Sequence, residues 1–342
     1  MRWKRSVSAA MSSAILIAAV PFCVSSVSAA ETENTLIKAC SIPASEDTKT
    51  VGQPFLPGTA GSNNFRIPCL ISLEQNEEHR GSLIAAADAR YETPADGGGL
   101  DTIASVSCDM GKTWNYSFPI WFPDSEGYAS NNATTVIDPA LVEGPDGTVY
   151  CMADVNPTGI TTHYGNAKDG TGYMEVAGEQ RIALASAYEK ANANPASQPD
   201  NYDYYVGDFE NGYAPVLKRL DQTATDWRVD EWYNIEKKNA SGTFEPLTQK
   251  QVNTDVDIQQ NVFYKDSELH IFNTGFVWVV ESKDGGMSWE NPRIINDQIK
   301  NTGDVAILVS PGKGLTVSDG TITIPFYKTG GGEQASLIYS TD

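Results

Sequence analysis

Short apolar runs alternate along the chain with clusters of turn-forming residues. The runs include "GSLIAAAD" (81–88), "GTVYCMADV" (147–155), "SELHIFNT" (267–274) and "GTITIPFY" (320–327), and "PDGT" (145–148) and "SDGT" (318–321) lie beside them. Runs of this length bounded by Gly, Pro, Asp and Ser predict strands joined by tight turns, and so an all-β protein. Helical periodicity is scarce; the best candidate for an amphipathic helix lies near Gln180 to Asn192.

One pattern recurs within this alternation. "SCDMGKTW" (107–114) and "SKDGGMSW" (282–289) both fit S-x-D-x-G-x-[ST]-W, and Ser340, Thr341 and Asp342 repeat its opening. Apolar runs precede both full copies: "DTIASV" (101–106) and "GFVWVVE" (275–281). The Asp can accept backbone N–H bonds, the Gly can take positive φ, and the Ser or Thr can tie the same loop. The Trp can fold back as an apolar plug. The pattern is therefore a hairpin connection with a structural role.

The spacing adds an architecture. Ser282 and Ser340 are 58 residues apart, near the repeat of common β-propellers, about 40–50 residues per blade. Ser107 and Ser282 are 175 residues apart, roughly three periods. Either the intervening copies have decayed or a segment is inserted. Long polar loops such as "YEKANANPASQPDNYDYY" (188–205) and "DWRVDEWYNIEKKNASGTF" (226–244) favour an insert. The expected organisation is a signal peptide over 1–30, a linker over 31–54, the first part of a propeller over 55–164, a small inserted domain over 165–257, and the propeller continued over 258–342.

The start of the chain is read apart from the fold. Arg2, Lys4 and Arg5 precede an apolar stretch, "AAMSSAILIAAVPFCV" (9–24), and small residues follow near Ala29 and Ala30. This is the layout of a secretory signal peptide cleaved near Ala29 or Ala30, and predicts a secreted protein. The stretch is short for a membrane anchor, and membrane insertion is not expected. Removing it takes three of the 24 basic residues and none of the 44 acidic ones, leaving 21 against 44, a net of −23. That charge argues against nucleic acid and anionic membranes as partners; an anionic ligand would need a local cationic clamp. The remaining cysteines, Cys40, Cys69, Cys108 and Cys151, have no C-x-x-C spacing, and H-E-x-x-H, G-x-S-x-G and a Gly-rich phosphate loop are absent from the sequence. No metal or other cofactor is expected.

"NNFRIPCLI" (63–71), "LIAAADARYETPADGGGLDTIASVSCDMGKTW" (83–114) and "VIDPALVEGPDGTVYCMADVNP" (136–157) complete the picture. An F-R-I-P motif, a D-x-R segment leading to an Asp, and repeated Asp boxes resemble the bacterial sialidases over about residues 55 to 342. The resemblance implies a six-bladed β-propeller, of which about four blades would lie here, and an insert like the extra domain of some members. It implies cleavage of terminal α-linked sialic acid from sialylated glycans. Arg66 matches the first of three arginines that hold the substrate carboxylate, a task suited to the planar, bidentate guanidinium. Asp96, a few residues past Arg90, matches the general acid, with Asp101 as the nearby competitor. Arg90 resembles an arginine near the sugar ring hydroxyls. Asp138 resembles a carboxylate near the N-acetyl group, and is otherwise a turn Asp before Pro. Gln334 resembles a substrate-contacting glutamine. The family's Tyr nucleophile, its Glu and the other two arginines follow the box that opens at Ser340, so the chain is expected to be part of a longer enzyme and inactive alone. A trans-sialidase and a non-catalytic sialic-acid-binding propeller are the alternatives.

Overall fold

The computed structural model describes residues 1–6, 52–91, 93–124, 133–158, 167–192, 201–252, 254–301, 303–329 and 334–341. Strands dominate. In chain order they are β1 (Lys4–Ser6), β2 (Asn64–Ser72), β3 (Leu83–Arg90), β4 (Leu100–Ser107), β5 (Asn115–Ile120), β6 (Thr135–Glu143) and β7 (Val149–Asn156). An insert follows with β8 (Tyr173–Val176), β9 (Glu179–Ala185), β10 (Tyr204–Val206), β11 (Tyr213–Lys218), β12 (Ala224–Asp230), β13 (Ile235–Lys238), β14 (Phe244–Pro246), β15 (Thr248–Lys250), β16 (Asp257–Gln259) and β17 (His270–Ile271). The last are β18 (Phe276–Ser282), β19 (Glu290–Ile294), β20 (Ala306–Val309), β21 (Gly312–Lys313), β22 (Leu315–Thr316), β23 (Ile322–Thr329) and β24 (Gln334–Ser340). The two α-helices, α1 (Tyr188–Ala191) and α2 (Asn296–Ile299), have four residues each. No described helix is long and apolar enough to cross a membrane.

The strands form repeating antiparallel units. Strands β2, β3, β4 and β5 pair in order as the first. The second is β6, β7, β18 and β19, with β7 paired along its length to β18 across the insert. The third is β20, β23 and β24, with β1 on the outer edge of β24. Three such units are seen among the described residues. The long interval between the boxes holds one insert, entered and left between the second and third strands of a unit. No sheet closes on itself among the described residues. Beyond residue 6, the expected signal peptide and its cleavage site lie outside the described residues.

Strands β3, β4 and β7 are buried on both faces, which explains their continuous Ala, Val and Ile content in place of alternation. Ile84, Ala86, Val106, Leu141, Cys151 and Val280 form the core between the first two units. Val142, Met152, Val277, Val279, Ile324 and Phe326 form the core between the second and third. The insert joins through aromatics: Trp278 of β18 lies 5.8 Å from Trp232 and 5.7 Å from each of Tyr233, Phe263 and Phe122 between ring centroids. The helix expected near Gln180 to Asn192 is met only by α1, Tyr188–Ala191; its first half is strand β9, with which β8, β10 and β17 all pair. Pairing overrides a local helical pattern. Strand β17 lies beyond the expected end of the insert at 257, yet pairs within the insert's sheet.

Both Asp boxes are turn devices. Asp109 Oδ1 accepts from the amides of Lys112 (3.0 Å) and Thr113 (2.8 Å), and Ser107 Oγ accepts from the Gly111 amide at 2.8 Å. Asp284 and Ser282 repeat this with Met287, Ser288 and Gly286. The tryptophans, both half-buried, differ: Trp114 donates to the carbonyl of its own Gly111, whereas Trp289 donates to Ser117 Oγ on β5 and so ties the second unit to the first.

The residue after the box Asp has positive φ in both copies, 59° at Met110 and 70° at Gly285. Met110 points into solvent, but a Cβ at Gly285 would lie 2.6 Å from His79 Cγ. Gly285→Ala should therefore cost about 1–3 kcal/mol, and Met110→Ala should stay within about 0.5 kcal/mol. Thermal unfolding of both variants checks this; equal stability would remove the His79 contact as the reason for Gly285.

Candidate active site

Two Pro residues shape the site. Pro68 and Pro139 sit in β2 and β6 and cannot donate to a ladder. The pairing shifts register around each, between Arg66 and Cys69 and between Ile137 and Ala140. The residues before them, Ile67 and Asp138, have φ of 55° and 65°, uncommon for non-glycine side chains. Bulges of this kind re-aim neighbouring groups. Arg66 stands 45% exposed on its strand, and the Asp138 amide donates to Asp88 Oδ1 at 2.9 Å.

Arg90 ends β3 and is fully buried together with Asp88. Side chains two apart on a strand share a face, so the pair forms directly: Arg90 Nη2 to Asp88 Oδ2 is 2.6 Å. Arg90 Nη1 donates to the carbonyls of Pro94 and Ala95, both at 2.8 Å, and to Asp96 Oδ1 at 2.6 Å. Arg66 Nη1 reaches the same Pro94 carbonyl at 2.8 Å and the same Asp96 oxygen at 3.1 Å. Two guanidinium groups from neighbouring strands thus converge on one carboxylate oxygen. The loop is further held where Thr135 Oγ1 donates to the Gly98 carbonyl at 2.8 Å.

The electrostatics divide the carboxylates. The hydrogen bond from Arg90 lowers Asp96 below the ordinary carboxylate value, aided by attraction to both arginines. Burial pushes Asp88 up to about 7 against the pull of Arg90. Burial raises Asp138 to about 6, with Arg90 and Arg66 opposing it and Asp96 adding to it. Asp154, wholly buried on β7, is raised well above the usual range and accepts the Val309 amide at 2.9 Å.

The structure brings Arg66, Arg90, Asp96 and Asp138 into one corner. Asp101, the competitor for the acid role, is fully buried and accepts from Tyr91 Oη at 2.8 Å and the Phe122 amide at 2.9 Å. Asp96 is 56% exposed beside the arginines. Both terminal nitrogens of Arg90 are engaged by protein groups, while its buried Nε has no hydrogen-bond partner. Gln334 opens β24 opposite Lys328 and makes none of the bonds that join the other four. Asp88 and Asp154 carried no assigned role in the sequence reading. The signal was present: "AADAR" (86–90) and "MADVN" (152–156) place an Asp at matching strand positions, and Asp88 stands two residues from Arg90.

The all-β frame thus carries paired arginines and a carboxylate loop behind F-R-I-P. No protein-family profile matches the chain. The chain is 29% identical over 308 residues to the anhydrosialidase of Macrobdella decora, covering 82% of this chain and 38% of that protein. It is 27% identical over 284 residues to sialidase B of Streptococcus pneumoniae, covering 75% of this chain and 37% of that protein. Among solved structures, it superposes with a TM-score of 0.71 and 28% identity on the intramolecular trans-sialidase of Ruminococcus gnavus in complex with oseltamivir carboxylate, over 85% of this chain and 61% of that one. The chain is thus similar to bacterial-type sialidases in sequence and in fold, and it spans less than two fifths of the length of those two curated relatives.

The raised Asp138 gives a pH test. Its native carboxyl holds a proton up to about 6, whereas the unfolded one releases it near 4. Between those values the native state binds more protons, so this group's contribution to stability falls as pH rises. Asp138→Asn removes that loss. Unfolding free energies of the two proteins should diverge in the variant's favour from pH 4 to pH 6; a constant difference would contradict the raised value.

Proposed function

We propose that this chain belongs to a secreted exo-sialidase acting on terminal α-linked sialic acid of glycoproteins, glycolipids and oligosaccharides. One observation carries the reading: Arg66 and Arg90 converge on a single carboxylate oxygen at a half-exposed position. Such a corner suits the carboxylate that sialic acid bears at its anomeric carbon. The substrate carboxylate would take Arg66 from Asp96. Losing that cation raises the Asp96 pKa, so binding itself prepares the proton donor for the leaving glycosidic oxygen. Asp138, partly protonated near pH 6, is placed to accept or donate to a polar substituent of the sugar.

The resemblance further supports a six-bladed propeller and retention through a covalent Tyr intermediate, activated by a Glu, with two more arginines completing the clamp. The roles proposed for this chain rest on Arg66, Arg90, Asp96 and Asp138. The names of the anhydrosialidase and intramolecular trans-sialidase relatives support a second outcome, release of an anhydro sugar, as well as they support hydrolysis.

The test is turnover by the complete protein on an aryl sialoside and on sialyl-lactose. Arg66→Lys should lower kcat/KM on both by on the order of 100-fold, since a point charge replaces a planar fork. Asp96→Asn should harm sialyl-lactose more, because a poor leaving group depends most on the acid. Near wild-type rates for Arg66→Lys would refute the clamp; equal losses for Asp96→Asn would assign Asp96 to positioning.

A further inference from the structure

Two buried aspartates occupy matching places in successive units. Asp88 on β3 lies opposite Arg66 of β2, and Asp154 on β7 lies opposite Ile137 of β6. Each accepts a backbone amide from the inner strand of the next unit, Asp88 from Asp138 at 2.9 Å and Asp154 from Val309 at 2.9 Å. These are repeat-to-repeat ties, and each satisfies a backbone donor that would otherwise be costly to bury. Only the first has a second partner. The other oxygen of Asp88 holds Arg90 Nη2 at 2.6 Å, and Arg90 Nη1 in turn holds Pro94, Ala95 and Asp96.

Taking the site to be the one proposed above, we propose that Asp88 is its positioning residue: one buried carboxylate fixes the Arg90 guanidinium, through it the Pro94–Asp96 loop, and at the same time the Asp138 backbone of the neighbouring unit. Arg90 has no exposure to water, so its orientation is set by these partners alone. With Asp88 in place, Nη2 is occupied and Nη1 is aimed at the loop. Without it, the buried guanidinium loses its partner at Nη2 and turns or moves outward, carrying Asp96 with it. The acid and the acetamido-side carboxylate therefore share one anchor although they stand on different units. Asp154 makes the same kind of tie with no arginine, and provides the internal control. Arg66 and Cys69 on β2, Arg90 on β3, Asp96 on the loop, Asp138 on β6 and Asp154 on β7 are the charged or titratable groups coupled to this region.

The experiment compares Asp88→Asn with Asp154→Asn. Asn keeps an oxygen for the backbone amide in both; at position 88 it also sets an NH2 group against Arg90. Carbon-detected NMR follows the Asp96 carboxyl, which should titrate below the ordinary value in the wild type and in Asp154→Asn, and shift upward in Asp88→Asn. In the complete protein, kcat/KM on an aryl sialoside should fall about 100-fold for Asp88→Asn, the scale of a misplaced catalytic group, and little for Asp154→Asn. An unchanged Asp96 titration in Asp88→Asn, or an equal shift in both variants, would overturn the proposal. If Asp88→Asn does not fold, Asp88→Glu keeps the charge but pushes Arg90 outward, and must also move the Asp96 midpoint. Absence of sialoside turnover in the wild type would refute the functional reading, while the titration would still decide the role of Asp88.

Discussion

A guanidinium group sealed from water must find its hydrogen-bond acceptors inside the protein, and Arg90 imposes that demand on everything around it. Asp88 holds Nη2, and the carbonyls of Pro94 and Ala95 and the carboxylate of Asp96 hold Nη1. The loop from Pro94 to Gly99 is therefore shaped from beneath, and its glycines allow the backbone to close over the arginine before Leu100 begins β4. Arg66 then meets a carboxylate whose place is already fixed. The corner reads as a preformed anion site in which Asp96 occupies the anion position.

The units that carry this corner are held together by polar ties as well as apolar cores. Asp88 and Asp154 each cross to the next inner strand, and Trp289 crosses to Ser117. The insert leaves β7 and returns at β18 beside Val155, the strand end that also faces Thr135 and Ile137. It rises from the end of the second unit that carries Asp138. Its attachment combines aromatic packing on Trp278 with hydrogen bonds such as that from Gln251 to the Pro123 carbonyl.

What could be read from the sequence followed local chemistry. The boxes were legible because Asp, Gly, Ser and Trp each have a turn-building reason to stand where they do. Arg66 and Asp96 were legible through F-R-I-P and the D-x-R segment. The helix expected near Gln180 to Asn192 formed only at Tyr188–Ala191, because the residues before it are held as strand β9 by three partner strands. The central place of Asp88 was missed for a similar reason. Its pairing with Arg90 follows from period-two alternation, but its bond to Asp138 depends on two units meeting, which no local pattern encodes.

The most direct test is a crystal structure of the protein soaked with a sialic-acid analogue that bears the C1 carboxylate. The account predicts that carboxylate on Arg66, with Asp96 displaced from Arg66 toward the glycosidic oxygen, Asp138 facing the ring substituents, and Asp88 still bonded to Arg90 and to the Asp138 amide. A ligand bound elsewhere, or bound with the Arg66–Asp96 pair intact, would contradict it.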